Sequence, residues 1–292
     1  MSDDNGKTRV LKRDLHIAIP NYRGTVEQAH YMSMVTFGHA LGLMNRSFNW
    51  VCPTHTIVAT ARQIAVNNLL RDPEGEWLLF IDDDMVFSPQ DFFNIEKQLL
   101  ERDDIDCIGG LCMANSLPTK PCVFGMVEGC EEYHQERIWW HIMTDYPRDQ
   151  TFQVYLTGMA FMLIKKSMLD AMRRDEDGNV IPNYMHFHYD HPMIFNEDLA
   201  FCMRAKDAGF KVWVDSRVKI GHIAKDRVII SEEIYDTHNR AIEYNKGLPH
   251  YEPVSEDKTW MVRPVEMEKV ADIVSDKIAG ENSLVPPALS DA

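Results

Sequence analysis

The sequence lacks several features that would place it in a secreted or membrane-bound class. Its six cysteines form no CxxC pair, and no apolar signal region follows the charged N-terminal residues, so a reduced, cytoplasmic setting is expected. The longest nearly uninterrupted apolar stretch, YLTGMAFMLI at 155–164, has about half the length that a membrane span requires. The sequence therefore predicts no transmembrane segment.

Positive charge is also scarce. Against 45 Asp and Glu residues stand 30 Lys and Arg residues, which gives a net charge of -15. This balance repels polyanions unless a local basic patch intervenes, so direct binding to duplex DNA is disfavoured. With 292 residues, of which 45% are hydrophobic, the chain has the composition of a globular protein with one large domain, or one domain with appendages.

Strand and helix patterns alternate along the first hundred residues, which predicts a parallel α/β sheet. The predicted elements are strands at 15–20, 47–53 and 77–81, and helices at 56–72 and from Ser88 onward. Beyond Arg102 the strand candidates follow one another closely, with few helical patterns between them. The second half is therefore predicted to add antiparallel strands to the same sheet.

Three adjacent aspartates follow the apolar strand in WLLFIDDDMVF at 77–87. Ligands of open α/β sheets bind beyond the carboxyl ends of the strands, where these acids are expected to lie. Clustered carboxylates repel one another, so a hard divalent cation, Mg²⁺ or Mn²⁺, is the expected compensation. Alternation directs Asp82 and Asp84 to one side and Asp83 to the other. The alternative is a solvated acidic turn, which the apolar residues on both sides disfavour.

Three motifs in the second half carry candidate chemistry. NED at 196–198 begins a helix-like stretch and could supply a general base or only a helix cap. His222 follows KVWVDSRVKIG and could be a metal ligand or an ordinary loop histidine. The segment MHFHYDH at 185–191 could be a metal cluster, a mobile loop on the acceptor side, or a plain surface loop.

Taken in order, the motifs resemble nucleotide-sugar-dependent glycosyltransferases of the GT-A fold, near the large family-two group. The resemblance is carried by ATARQIAVNNLL, WLLFIDDD, FSPQDF, CIGGLCM, TGMAFMLIKKSML and NEDLAFCMRAKDAGFKVWVDSRVKIGH. It implies a GT-A, Rossmann-like mixed sheet flanked by helices, with an antiparallel extension in the second half. The implied organisation is a polar leader at 1–14, a GT-A catalytic domain at 15–223, a partly helical extension at 224–282 and a flexible tail at 283–292.

The resemblance also implies roles for the acids and the histidine. Asp84 would be the direct ligand of Mn²⁺ or Mg²⁺, Asp82 would contact the donor ribose or the metal, and His222 would complete the metal site. Asp198 would be the base of an inverting transfer, kept ionised by the helix dipole, and Glu197 would position the acceptor or its loop. These five residues form the predicted catalytic and metal-binding set.

Donor-binding residues are predicted in two other places. By resemblance, Pro20, Asn21 and Arg23 lie in the loop that contacts the nucleobase and ribose. Arg62, in ATARQ, lies where a cation can meet the diphosphate. Asp83 belongs to the same donor site, and we expect it to tolerate alanine best of the three aspartates.

The predicted activity is transfer of a sugar from a nucleotide-diphosphate donor to a hydroxyl acceptor, with a bound metal. The acceptor class is left open among a polysaccharide, a lipid, a protein and a modified base in viral DNA. A nucleotidyltransferase on a similar sheet is one alternative, although its glycine-rich phosphate loop is missing, and a non-catalytic nucleotide- or carbohydrate-binding module is another. The helical pattern at 265–280 could dock on the domain or on a second copy, which leaves a homo-oligomer open.

Overall fold

The computed structural model describes only part of the chain. The described ranges are 14–115, 119–126, 140–174, 177–180, 185, 196–224 and 228–246, with the backbone alone at 241–246. The chain divides into two units, 1–238 and 239–292, and the account below concerns the first. Apart from Met185, the MHFHYDH segment lies outside the described residues, as does the predicted C-terminal helix at 265–280. The predicted domain bounds stay predictions.

Strands and helices alternate in the first part of the chain, as the sequence predicts. The elements are β1 Leu15–Ala18, α1 Gln28–Leu43, β2 Phe48–Val51, α2 Val58–Arg71, β3 Trp77–Ile81, β4 Met85–Val86, α3 Pro89–Glu101 and β5 Cys107–Cys112. The predicted start of α3 is correct to the residue. Pro89 occupies the first turn, and the backbone N–H of Ser88 donates to the Asp91 carboxylate at 2.7 Å, which closes a capping box.

Short strands dominate the second part, again as predicted. They are β6 Val123–Met126, β7 Trp140–Ile142, β8 Thr151–Val154, β9 Leu156–Thr157, β10 Phe161–Lys165, β11 Val212–Ile223 and β12 Ile229–Ile230. Three helices accompany them, α4 Lys166–Met172, α5 Glu197–Asp207 and α6 Glu232–Lys246. No helix among the described residues is long and apolar enough to cross a membrane.

A nine-stranded sheet forms the centre of the described fold. Its order is β12-β11-β5-β10-β3-β1-β2, and β4 and β8 also pair with β11. Strands β1, β2 and β3 are parallel, β10 is antiparallel to both β3 and β5, and β11 is parallel to β5. A second, antiparallel sheet has the order β7-β6-β9. The predicted fold class, a mixed α/β sheet with antiparallel additions, is confirmed.

Strand β3 shows why an unbroken apolar run becomes the middle of this sheet. Leu78 and Phe80 point into one hydrophobic core, which α2, α4 and α5 cover, and Leu79 and Ile81 point into a second core beneath α1 and α3. All four side chains are fully buried. A strand covered on both faces needs apolar residues at every position, so its first charged residues come only where it reaches the edge of the sheet.

Glu232, at the start of α6, is the acceptor in a polar cluster on the first unit. It is 6% exposed and accepts hydrogen bonds from the Tyr146 hydroxyl at 2.6 Å and from Lys219 Nζ at 2.7 Å. The Arg148 guanidinium also pairs with it. Burial alone raises the pKa of Glu232, but the hydrogen bonds outweigh burial and lower the pKa below its ordinary value of 4.5. The cluster therefore ties the beginning of α6 to β11.

We expect Glu232→Gln to lower the free energy of unfolding by about 2 kcal/mol, because Lys219 and Arg148 lose a charged acceptor. Glu233→Gln, on the exposed neighbour, is the control and should change it by less than about 0.5 kcal/mol. Since the pKa of Glu232 is lower in the folded state, its contribution is present at neutral pH and is lost on acidification through 4.5 and below. Urea unfolding at several pH values checks this, and equal stability of the two variants at pH 7 would contradict it.

Candidate active site

The candidate site lies at one edge of the main sheet, where the parallel strands end. Asp82, Asp83 and Asp84 follow β3, Asn21 follows β1, Met113 follows β5, and His222 lies near the end of β11. Backbone hydrogen bonds hold the aspartate turn, since Asp82 N donates to the Ala160 carbonyl and Ile223 N donates to the Asp84 carbonyl, both at 2.9 Å. The location is the one expected for ligands of an α/β sheet.

Asp84 and His222 face each other across this edge. Pairing of β4 with β11 sets His222 opposite Met85, and His222 Nε2 lies 3.2 Å from Asp84 Oδ2. The other ring nitrogen, Nδ1, lies 2.8 Å from the Met113 carbonyl oxygen. A carbonyl can only accept, so Nδ1 carries the hydrogen, and in the neutral ring the lone pair of Nε2 points at a carboxylate. Such a pair needs a proton or a cation between its members.

The protonation preference of His222 reflects that arrangement. Burial lowers the pKa of His222, but the hydrogen bond and charge of Asp84 outweigh burial, and the pKa is raised above its ordinary value. The pair therefore attracts positive charge. An imidazole nitrogen beside a carboxylate oxygen suits Mn²⁺ better than Mg²⁺, which prefers oxygen ligands, and the orienting hydrogen bond to Met113 is the support that metal-binding histidines generally have. The donor chemistry of the pair fits a divalent metal.

Asp82 belongs to a different group. Its carboxylate accepts from Arg62 Nη2, at 2.9 Å to Oδ1 and 3.3 Å to Oδ2, while Arg62 Nη1 donates to Glu197 Oε1 at 2.6 Å. Arg62 is only 2% exposed. Within the described part of the chain, no group of three or more His, Cys, Asp and Glu side chains is suited to hold a metal. The structure thus brings Asp84 and His222 together but directs Asp82 to Arg62.

Asp198 lies beside Glu197 in the first turn of α5. It is partly buried, and its Oδ1 accepts from Leu199 N at 2.8 Å. Burial raises the pKa of Asp198 to about 6, and the Arg62 charge only partly offsets this. Burial therefore works against the ionised form, although a carboxyl with this pKa is still mostly ionised at neutral pH. A pKa near the operating pH is useful in a general base.

Asp83 has no arginine partner of the kind that Asp82 has. Burial and the charges of Asp84 and Asp82 raise the pKa of Asp83 to about 6, against the opposing charge of Arg23. Arg23 is exposed in the loop between β1 and α1. The charge of Arg23 therefore acts on the middle aspartate from the loop where donor contacts are predicted.

The remaining predicted donor residues are part of the same loop. Pro20 and Asn21 are buried, and the Asn21 side chain accepts from Gly24 N at 2.7 Å and donates to the Thr25 carbonyl at 3.1 Å. Gly24 has φ +71°, a left-handed conformation that favours glycine. Asn21 thus shapes the loop, and Tyr22 and Arg23 are exposed side chains available to a ligand.

Two contacts of the candidate site could not be predicted from the sequence. The Met113 carbonyl that orients His222 gives no signal there, since any residue supplies a carbonyl. The bridge from Arg62 to Asp82 and Glu197 joins α2, the turn after β3 and the start of α5, and its long-range arm to Glu197 depends on how α5 packs.

The family assignment rests on sequence. The chain belongs to the family described as Glycosyltransferase like family 2, whose model matches residues 50–233. The match includes the aspartates, NED and His222, while the loop at 20–24 lies before it. The protein is therefore a family-two-like glycosyltransferase, as the resemblance implied. None of the curated proteins matches the chain.

Solved structures with a similar layout have low identity. A197 from STIV is 18% identical, with 75% of this chain and 93% of that chain covered and a TM-score of 0.47. GalNAc-T7 with UDP, GalNAc and Mn²⁺ is 11% identical, with 72% and 43% covered and a TM-score of 0.41. A glycosyltransferase involved in glycosylation of the major capsid of PBCV-1 is 13% identical, with 77% and 99% covered and a TM-score of 0.33. At these TM-scores the similarities add nothing to the assignment.

Proposed function

We propose that this family-two-like enzyme is a metal-dependent, inverting glycosyltransferase that moves a sugar from a nucleotide-diphosphate donor to a hydroxyl acceptor. The observation that carries the proposal is the presence of two different acidic groups at one edge of the sheet. Asp84 faces the lone pair of His222 at 3.2 Å, whereas Asp198 is a separate carboxylate with a pKa raised to about 6. The Asp84–His222 pair suits a cation, and Asp198 suits a proton.

Asp84 and His222 would hold the metal on the donor side. Mg²⁺ and Mn²⁺ are commonly bound by one or two protein ligands, with water and substrate phosphates filling the remaining positions, so a two-ligand site suits a diphosphate donor. The bound cation would neutralise the charge that develops on the departing nucleotide diphosphate. The imidazole nitrogen favours Mn²⁺ over Mg²⁺.

Asp198 would accept the proton of the attacking hydroxyl. At neutral pH a carboxyl with a pKa of about 6 is mostly ionised, yet it is a stronger base than an ordinary aspartate. Glu197, which is 12% exposed and pairs with Arg62, would position the acceptor side through the start of α5. A base separate from the leaving-group site is the arrangement that an inverting transfer needs.

The loop after β1 would bind the nucleoside. Arg23 is exposed, and its charge acts on Asp83, so it would reach a ribose or a phosphate, while Pro20 and Asn21 would keep the loop in shape. Asp82 remains a candidate for the ribose, since it is 29% exposed while paired with Arg62. No observation among the described residues favours a nucleotidyltransferase or a non-catalytic module.

A donor panel tests the proposal. The protein is incubated with nucleotide-diphosphate sugars that differ in base and in sugar, each with Mn²⁺ and each with EDTA, and release of free nucleotide diphosphate is measured. We expect one donor or a small group to be hydrolysed slowly without acceptor, with EDTA abolishing the release. Release that is equal with Mn²⁺ and with EDTA would contradict metal dependence. If no donor is hydrolysed and none binds, the whole proposal is contradicted.

A further inference from the structure

Arg62 lies inside the fold, between the two groups of acids. It comes from α2, whereas its partners come from the turn after β3 and from the start of α5. Its two terminal nitrogens bind different carboxylates, Nη1 that of Glu197 and Nη2 that of Asp82. With 2% exposure, the guanidinium is enclosed by protein and presents no free face to a diphosphate.

The planar shape of the guanidinium makes this bridge specific. Its N–H groups form a rigid fork, so two carboxylates bound to different nitrogens are held at a fixed separation and angle. Each bound carboxylate stands next to a residue of the proposed reaction. Asp82 is two residues before Asp84 in the same backbone-held turn, and Glu197 is adjacent to Asp198. The fork therefore connects the donor side to the acceptor side.

We propose that Arg62 is a positioning residue that sets the spacing between the metal-binding Asp84 and the base Asp198 by holding Asp82 and Glu197 on one guanidinium. This inference rests on the proposed function, and it replaces the expectation that Arg62 contacts the diphosphate. Reacting groups must be held close to the productive geometry, and an error of about 1 Å can reduce turnover about 100-fold. Arg62 meets that need without contacting substrate.

A second buried arginine provides a matched control. Arg46 is 8% exposed and also bridges two carboxylates, those of Asp14 and Glu96. Asp14 immediately precedes β1 and Glu96 lies in α3, on the side of the sheet that α1 and α3 cover. Neither is among the proposed site residues. Arg46→Lys and Arg62→Lys therefore remove the same kind of fork and keep the same charge, one outside the site and one inside it.

The experiment compares steady-state kinetics and equilibrium binding for the wild type, Arg62→Lys and Arg46→Lys. For Arg62→Lys we expect kcat to fall about 100-fold while the donor KM changes less than about threefold. Binding of Mn²⁺ and nucleotide diphosphate, measured by calorimetry, should stay within about threefold of the wild type, because the proposed ligands are kept. Arg46→Lys should lose a similar amount of thermal stability and keep its kcat.

Other kinetic results would contradict either the positioning role of Arg62 or the proposed function. If Arg62→Lys raises the donor KM and preserves kcat, Arg62 contacts the donor. If the two lysine variants have equal kcat, Arg62 serves only the fold. Either result overturns the inference. If Arg62→Lys does not fold, Glu197→Gln removes one arm of the bridge, and it should lower kcat with donor KM preserved. An unchanged kcat in Glu197→Gln would also overturn the inference. A wild type that turns over no donor refutes the proposed function itself.

Discussion

Replacing Asp198 with asparagine is expected to lower kcat for sugar transfer about 1,000-fold, because an amide cannot accept the proton of the attacking hydroxyl. Asparagine keeps the oxygen that accepts from Leu199 N, so α5 should begin as before. Affinity for Mn²⁺ and nucleotide diphosphate should stay within about twofold, since the proposed ligands belong to other segments. The measurements are turnover with the best donor of the panel and calorimetric binding of nucleotide.

Asp207→Asn is the matched control for this change. Asp207 is exposed at the other end of α5, so the same chemical substitution there should leave turnover and binding at wild-type values. The prediction fails if Asp198→Asn retains more than about a tenth of wild-type turnover, because loss of a general base lowers the rate by about 100-fold or more. A non-catalytic binding module would show no change in either variant, and this separates the enzyme from that alternative.

The pH profile gives an independent check on the same residue. The pKa of Asp198 is raised to about 6, and only its ionised form can accept a proton. Below pH 6 the carboxyl is protonated, so kcat/KM should fall about tenfold per pH unit, and above pH 6 it should reach a plateau. The residual activity of Asp198→Asn should lack this acidic limb. A limb of unchanged midpoint in the variant would assign the titration to another group.

Local sequence signals predicted the elements of this fold well. The apolar run before Asp82 identifies β3 because both faces of that strand are buried, and Ser88 with Pro89 marks the start of α3 because capping depends on adjacent residues. Two predicted strand ends were wrong, since β1 stops at Ala18 and β2 at Val51, short of the predicted residues 20 and 53. Pairing partners decide where a strand ends, and these partners are distant in sequence.

The site was predictable as a set of residues but not as a pattern of contacts. The three aspartates follow a recognisable strand, NED begins a helix and His222 lies near the end of a strand, so their shared edge follows from the alternation of elements. Which acid pairs with which cation does not follow. Packing of α2 beside β3 brings Arg62 to Asp82, and packing of α5 brings Glu197 to the same guanidinium; no local signal in the sequence indicates either contact.

Replacing Asp84 with asparagine should produce the other large loss. The change removes the charge that faces His222 Nε2 and substitutes a neutral amide, which is a poor ligand for Mn²⁺ or Mg²⁺. We expect Mn²⁺ affinity in the presence of nucleotide diphosphate to fall at least about 100-fold, and metal-dependent turnover to fall with it. Manganese binding is followed by electron paramagnetic resonance, and turnover by nucleotide release.

Asp83→Asn is the control, because it makes the same change one residue away in the same turn. The hydrogen-bond partner of His222 Nε2 is Asp84 and not Asp83, so the Asp83 variant should keep Mn²⁺ affinity and turnover within about fivefold. Loss of metal binding in Asp83→Asn with retention in Asp84→Asn would mean that Asp83, and not Asp84, is the metal ligand. Loss in both variants to the same degree would mean that total charge, rather than the Asp84–His222 pair, attracts the cation.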